Sequence, residues 1–282
     1  MGNMIKTVLF LGLLTGIILG IGAFFGTSGL LIAFAFALVM NFFSYFFSDK
    51  IVLWMYGAKE VSKKDQPVLH ELVEEIAKLA HIPKPKVYIV HSSNPNAFAT
   101  GRSPEHAAVA ATTAIMDLLT KEELKGVIAH EISHVKNRDI LISSIAATLA
   151  GVISFLAMMA RWGALFGGFG GDDRDNSGGI LGLLVLGIVT PIMAFLIQMA
   201  ISRSREYQAD LSGAHLLKNG EHLAKALEKL EHGVHAHPMH NESTAGASLF
   251  IVNPFSWKGF MTMLSTHPST EDRVKRLRAM KF

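Results

Sequence analysis

Cysteine is absent from the 282 residues. That excludes disulfides and thiolate metal ligands, and it fits a reducing compartment. Charge is missing from three long stretches: Thr7–Ser48, Ile140–Ala160 and Asn176–Ser202 contain no Asp, Glu, Lys or Arg. No cluster mixes basic and aromatic residues, so the sequence offers no nucleic-acid footprint despite a net charge of +3. The composition is half apolar, with a mean hydropathy of +0.35, yet 17% of residues are charged. Such a chain is neither an ordinary soluble domain nor one buried wholly in lipid.

A bilayer core of about 30 Å takes roughly 20 apolar helical residues to cross. The first uncharged run is long enough for two crossings and is broken by Gly26-Thr27-Ser28-Gly29, a turn signal. It outruns a signal-peptide core and is followed by a second apolar run, which argues against a cleaved leader. Membrane helices are therefore expected near 5–25, 30–48, 140–160 and 180–201, with Pro191 kinking the last or absorbed by packing. Residues 49–139 carry 12 Lys and Arg, and residues 202–282 carry 11. The Gly-rich link 163–179 has only Arg174 beside three aspartates. By the positive-inside rule, both large polar segments and both termini of this multi-pass membrane protein face the cytoplasm.

The expected division is thus 1–48 (membrane helices 1 and 2), 49–139 (first part of a cytoplasmic domain), 140–201 (a membrane hairpin) and 202–282 (its second part). Within the polar parts, apolar periodicity predicts helices at Gln66–Ala80, Lys121–Arg138, Glu206–Leu217, Leu223–Glu231 and Ser269–Met280. Short strands are expected at Val87–Val90 and Ala107–Thr113.

The chemistry concentrates in AHEISHVKNRD, residues 129–139. His130 and His134, four apart on a helix, lie about 40° apart around the axis and about 6 Å along it, so both imidazoles can reach one ion. Glu131 projects at an adjacent angle and can take a proton from water at an open coordination position. Zinc fits these ligand types. A third ligand is needed, and Val135-Lys136-Asn137-Arg138-Asp139 lacks the Gly and third His of metzincins. SRSREYQAD, residues 202–210, offers Glu206, with Asp210 on the same face as a partner for a ligand histidine. On pattern alone, that helix reads more readily as a solvated face.

HEISH, then SRSREYQAD after an apolar hairpin, then HPSTEDR at 267–273, together with NPNAFATG at 94–101, resemble the HtpX family of membrane zinc metalloproteases. These are relatives of the type I CAAX prenyl proteases. The resemblance covers nearly the whole chain. It implies an α-helical membrane protein with about four transmembrane helices and a cytoplasmic, mainly helical, gluzincin-like α+β protease domain with a small sheet. It implies one Zn2+ held by His130, His134 and Glu206, with Glu131 as the base. It places His267, which unaided reads as a residue opening the last helix, near the reacting carbonyl, and lets Arg273 pair with an acidic group. It assigns substrate alignment to Asn96, Ala97, Phe98 and Ala99, a stretch that can form an edge strand. The implied partners are the lipid bilayer and polypeptides, above all damaged or misfolded membrane proteins cut in stress response and quality control. Two alternatives stand beside it: a CAAX-type prenyl-protein protease, and a non-enzymatic membrane scaffold with structural zinc. A second histidine group (His232, His235, His237, His240) is expected in a loop with no assigned site.

Overall fold

The computed structural model describes residues 2–23, 26–145, 203–236 and 268–282. Most of the third predicted membrane segment, all of the fourth, the Gly-rich link, His237, His240 and His267 lie outside the described residues.

The uncharged N-terminal run folds as two helices, α1 (Gly2–Ala23) and α2 (Gly26–Phe46). The expected turn at 26–29 is instead the first turn of α2. Gly26, which opens α2, takes φ +72°, a conformation open to glycine. The two helices pack together near the turn, where a Cβ on Gly22 would come within 2.3 Å of the Ala33 methyl. Farther along, the Asn41 amide donates to Thr15 Oγ1 at 2.8 Å. Among the described residues, α2 is the one helix long and apolar enough to cross a membrane, with mean hydropathy 2.0. Its Leu31, Ile32, Phe36, Leu38 and Val39 point outward, as lipid contact requires.

Backbone bonds from Phe47 N to Phe43 O and from Ile51 N to Phe47 O carry α2 almost without break into α3 (Ser48–Met55). Val52 and Leu53 of α3 pack beneath a four-stranded mixed sheet, against Val90, Phe98, Ala108 and Ala110. The strands are β1 (Lys59–Glu60), β2 (Lys86–Val90), β3 (Ala97–Gly101) and β4 (Ala107–Thr112), in the order β1-β2-β4-β3. β2 and β4 run parallel, and β3 pairs antiparallel with β4 from Ala97↔Ala111 to Gly101↔Ala107. β3 is thus an edge.

The opposite sheet face carries the main core. Alternation puts Val87, Ile89, Ala97, Ala99, Val109 and Ala111 toward α4 (Pro67–Ala80) and α6 (Lys121–Lys136). α4 presents Leu69, Leu72, Val73 and Ile76, the stripe expected from its 3.6-residue period. A short α5 (Thr113–Leu118) leads to α6, which opens with a capping box: Thr120 accepts from Glu123 N, and Glu123 accepts from Thr120 N.

α6 is central and is approached closely by two later helices, α7 (Arg203–Leu217) and α8 (Glu221–Ala236). Glycine makes both crossings possible. A Cβ on Gly126 would lie 2.6 Å from Leu223 N, and one on Gly213 would lie 3.0 Å from His130 N. α8 runs on to Ala236, so His232 and His235 are helical rather than in a loop. α9 (Thr270–Arg278), capped by Ser269, closes the domain against α7 and α8.

Candidate metal centre

The α6–α7 crossing brings His130, His134 and Glu206 together, with one ligand atom of each within 4.8 Å of the others. His130 Nε2 and His134 Nε2 are 3.2 Å apart. Glu206 oxygens stand 3.6 Å from the first and 3.5 Å from the second. A tetrahedral zinc with bonds of about 2.0–2.1 Å separates its ligand atoms by about 3.3 Å. The donor set therefore fits zinc in both type and spacing.

The far side of each imidazole meets a carboxylate, which turns both Nε2 atoms toward the centre. His130 Nδ1 lies 2.9 Å from Asp210 Oδ1. His134 Nδ1 lies 3.3 Å from Asp139 Oδ2. Asp210 is itself gripped by the buried Arg273, whose Nε and terminal nitrogen donate at 2.8 and 2.7 Å. The third Arg273 nitrogen, Nη1, sits 3.8 Å from Glu206. Burial favours the protonated form of Asp210, but the guanidinium and His130 outweigh it and hold the carboxyl at about 2. Burial also opposes protonation of His134, yet Asp139, Glu206 and Glu131 together raise it to about 9 in the metal-free site.

Glu131 is buried one residue beyond His130. Its Oε2 accepts the Ala99 N–H of edge strand β3 at 2.8 Å. Burial raises its pKa above the ordinary carboxylate value, against the pull of the two histidines. The expected substrate-aligning residues Asn96, Ala97, Phe98 and Ala99 are all buried, and it is the Ala99 backbone that meets Glu131. Phe98 packs on Tyr56 in the core beneath the sheet, and Asn96 N donates to Thr112 Oγ1. Glu206, Asp210 and Arg273 converge on the centre, whereas His267 lies outside the described residues.

Asp139 is the site residue that sequence reasoning missed. Arg138 adopts φ +59°, turning the chain back so that Asp139 faces His134. The buried Arg205 follows it, 4.0 Å from Asp139 Oδ1. The available signal was an aspartate three residues past the end of α6.

Two histidines and a glutamate on crossing helices, a buried glutamate tied to a sheet edge, and an apolar helical hairpin define a class: the membrane zinc metalloproteases. More particularly, the chain belongs to Peptidase family M48, whose profile matches residues 63–281. It is 54% identical over 282 residues to the protease HtpX homolog of Syntrophobacter fumaroxidans, covering 99% of this chain and 100% of that protein. It is 52% identical to the protease HtpX homolog of Pyrococcus furiosus, covering 98% and 96%. Among solved structures, the crystal structure of S. mikatae Ste24p shares the fold, with a TM-score of 0.53 at 20% identity over 98% of this chain. The chain spans 65% of Ste24p. With relatives at half identity along their whole lengths named as HtpX homologs, the prenyl-processing alternative is not favoured.

Proposed function

We propose that Glu131 is the general base of peptide hydrolysis at a zinc held by His130, His134 and Glu206. The observation that carries this reading is the hydrogen bond from Ala99 N–H to Glu131. It fixes the carboxylate between the imidazole pair and the edge strand, where an extended polypeptide would lie. Zinc, when bound, supplies the Lewis acid that polarises the scissile carbonyl and acidifies water. The protein does the rest. Asp210 and Asp139 hold the imidazoles in the ligating tautomer. Arg273 keeps Asp210 ionised and stabilises the Glu206 carboxylate. The raised pKa of Glu131 suits it to accept a proton from water and return it to the leaving amine near neutral pH.

Among the described residues, β3 has no strand partner on the side away from β4, where Glu131 takes the Ala99 N–H and Ser144 Oγ the Gly101 N–H, so an extended substrate aligning there would compete for these backbone donors without regard to side chain. His267, just before α9, is proposed to donate to the developing oxyanion. Segments 49–139 and 202–282 form one cytoplasmic catalytic unit, and 1–48 and 140–201 form its membrane part. The Lys and Arg distribution supports that orientation. Zinc at the end of an anchored domain suits damaged or misfolded membrane proteins and their cytoplasmic loops.

The test compares wild type with Glu131→Gln, purified in detergent, for zinc content and for cleavage of an unfolded protein. Equal zinc with cleavage reduced by about 10²-fold or more is expected. Equal zinc with equal cleavage would refute the assignment and favour a structural zinc.

A further inference from the structure

A cavity of about 270 Å³ lies where α2 gives way to α3, away from the metal centre. Phe42, Phe46 and Phe47 form its apolar wall, and Lys50 and Arg102 supply its positive charge. The rings brace both cations: Lys50 Nζ lies 5.1 Å from the Phe47 centroid, and the Arg102 guanidinium lies 5.5 Å from that of Phe46. Elsewhere in the domain Lys78, Lys84, Lys86, Lys121, Lys125 and Lys229 each meet a glutamate. Among the described residues, no carboxylate comes within ion-pair distance of Lys50 or Arg102. Asp49 and His106 complete the lining, so the cavity carries one acidic group against two fixed cations.

Position supplies the occupant. The membrane-crossing helix α2 ends at Phe46, so the cavity opens at the depth of lipid headgroups. It is smaller than the roughly 300–1,000 Å³ of sites for larger ligands. Apolar on one wall and cationic on the other, it matches the root of a phospholipid. We propose that it binds the phosphate headgroup of an anionic phospholipid, with Lys50 and Arg102 on the phosphate and the three phenylalanines against the glycerol and first acyl carbons. The proposal rests on the reading that α2 crosses a bilayer. Arg102 directly follows Gly101, the last residue of β3, so an occupied site touches the strand whose Ala99 holds Glu131.

The experiment uses the full chain in detergent. Retention of phosphatidylglycerol and of phosphatidylcholine with the same acyl chains is measured by native mass spectrometry. One phosphatidylglycerol should be retained at roughly tenfold lower concentration than phosphatidylcholine. The Lys50→Gln/Arg102→Gln double variant should erase the preference, and Asp49→Asn should strengthen it. Zinc content equal to wild type identifies folded variants; if the double variant loses zinc, the Asp49→Asn result decides. Equal retention of the two lipids, or a preference that survives in a folded double variant, overturns the proposal. Displacement of the lipid by millimolar inorganic phosphate overturns the lipid assignment in favour of a free-phosphate site. Flotation of the chain with washed vesicles tests the membrane reading separately: failure to float sinks that reading, while flotation without lipid preference sinks this proposal alone.

Discussion

Replacing Arg273 by Met should unlock the metal centre from behind. Arg273 is 1% exposed and makes two charge-assisted bonds to Asp210, itself 2% exposed. Met keeps the aliphatic volume but strips Asp210 of both guanidinium bonds and Glu206 of one nearby cation. Breaking one partner out of a buried ion pair costs about 3–5 kcal/mol. For a domain of this size each kcal/mol lowers Tm by about 2–4 °C, so a fall of roughly 6–20 °C is expected. The Asp210 carboxyl, released from the group that holds it near 2, should rise above the ordinary range. Its grip on His130 then fails, and zinc affinity drops. The assay is thermal unfolding of metal-free and zinc-loaded protein, run for Arg273→Met, Asp210→Asn and the double variant. The double variant should be more stable than the sum of the single losses predicts, because removing both partners leaves no orphaned charge. Arg273→Lys keeps the charge without the two-pronged fit and should fall between. A Tm change under about 2 °C for Arg273→Met, or strict additivity in the cycle, would refute the reasoning.

Asp139→Asn should weaken zinc binding by about 10–100-fold in a competition titration, since His134 loses the carboxylate that orients it. Zinc uptake should release about one proton per ion near pH 7, seen by calorimetry in buffers of different ionisation heat, because metal-free His134 keeps its proton up to about pH 9. By the same shift, the stabilisation that protonated His134 gives the metal-free protein is complete below pH 6.5. It fades as pH rises through about 9, so the metal-free Tm should decline over that window while the zinc-loaded one does not. Gly126→Ala should destabilise by about 1–3 kcal/mol in chemical unfolding, because its Cβ would strike the backbone of α8 rather than a movable side chain.

Helix α6 was legible because two independent signals coincided, an i, i+4 histidine pair and an apolar stripe, and the structure adds the capping box at Thr120 and Glu123. α4, β2 and β4 likewise follow from periodicity within a residue or two. Glu206 could be nominated but not fixed from pattern, since a glutamate on a polar helix looks solvated until the helix is known to cross α6 at Gly213. α3 was hidden because Ser48-Asp49-Lys50 reads as the polar end of a membrane segment, although the backbone continues helical through Phe47. β1 is two exposed residues whose strand character comes from pairing with β2 alone. Asp139 escaped because its approach depends on Arg138 taking a left-handed conformation that arginine seldom adopts. Asn96–Ala99 reads from the sequence as an edge strand able to pair with substrate through backbone bonds, and the structure places it at the sheet edge beside Glu131. What the sequence does not show is that a backbone amide of this strand, Ala99 N–H, also holds Glu131.

The ligands sit on opposite sides of a long detour in the chain. His130 and His134 are made before residues 140–201, and Glu206, Asp210 and Arg273 come after. A nascent polypeptide halted anywhere within that detour carries the base and two imidazoles but lacks the third ligand, the carboxylate behind His130 and the arginine that steadies both. It has no tetrahedral set to load. Under the proposed assignment of His130, His134 and Glu206 as the zinc ligands, a chain halted before Glu206 is made should therefore load no zinc and cut nothing.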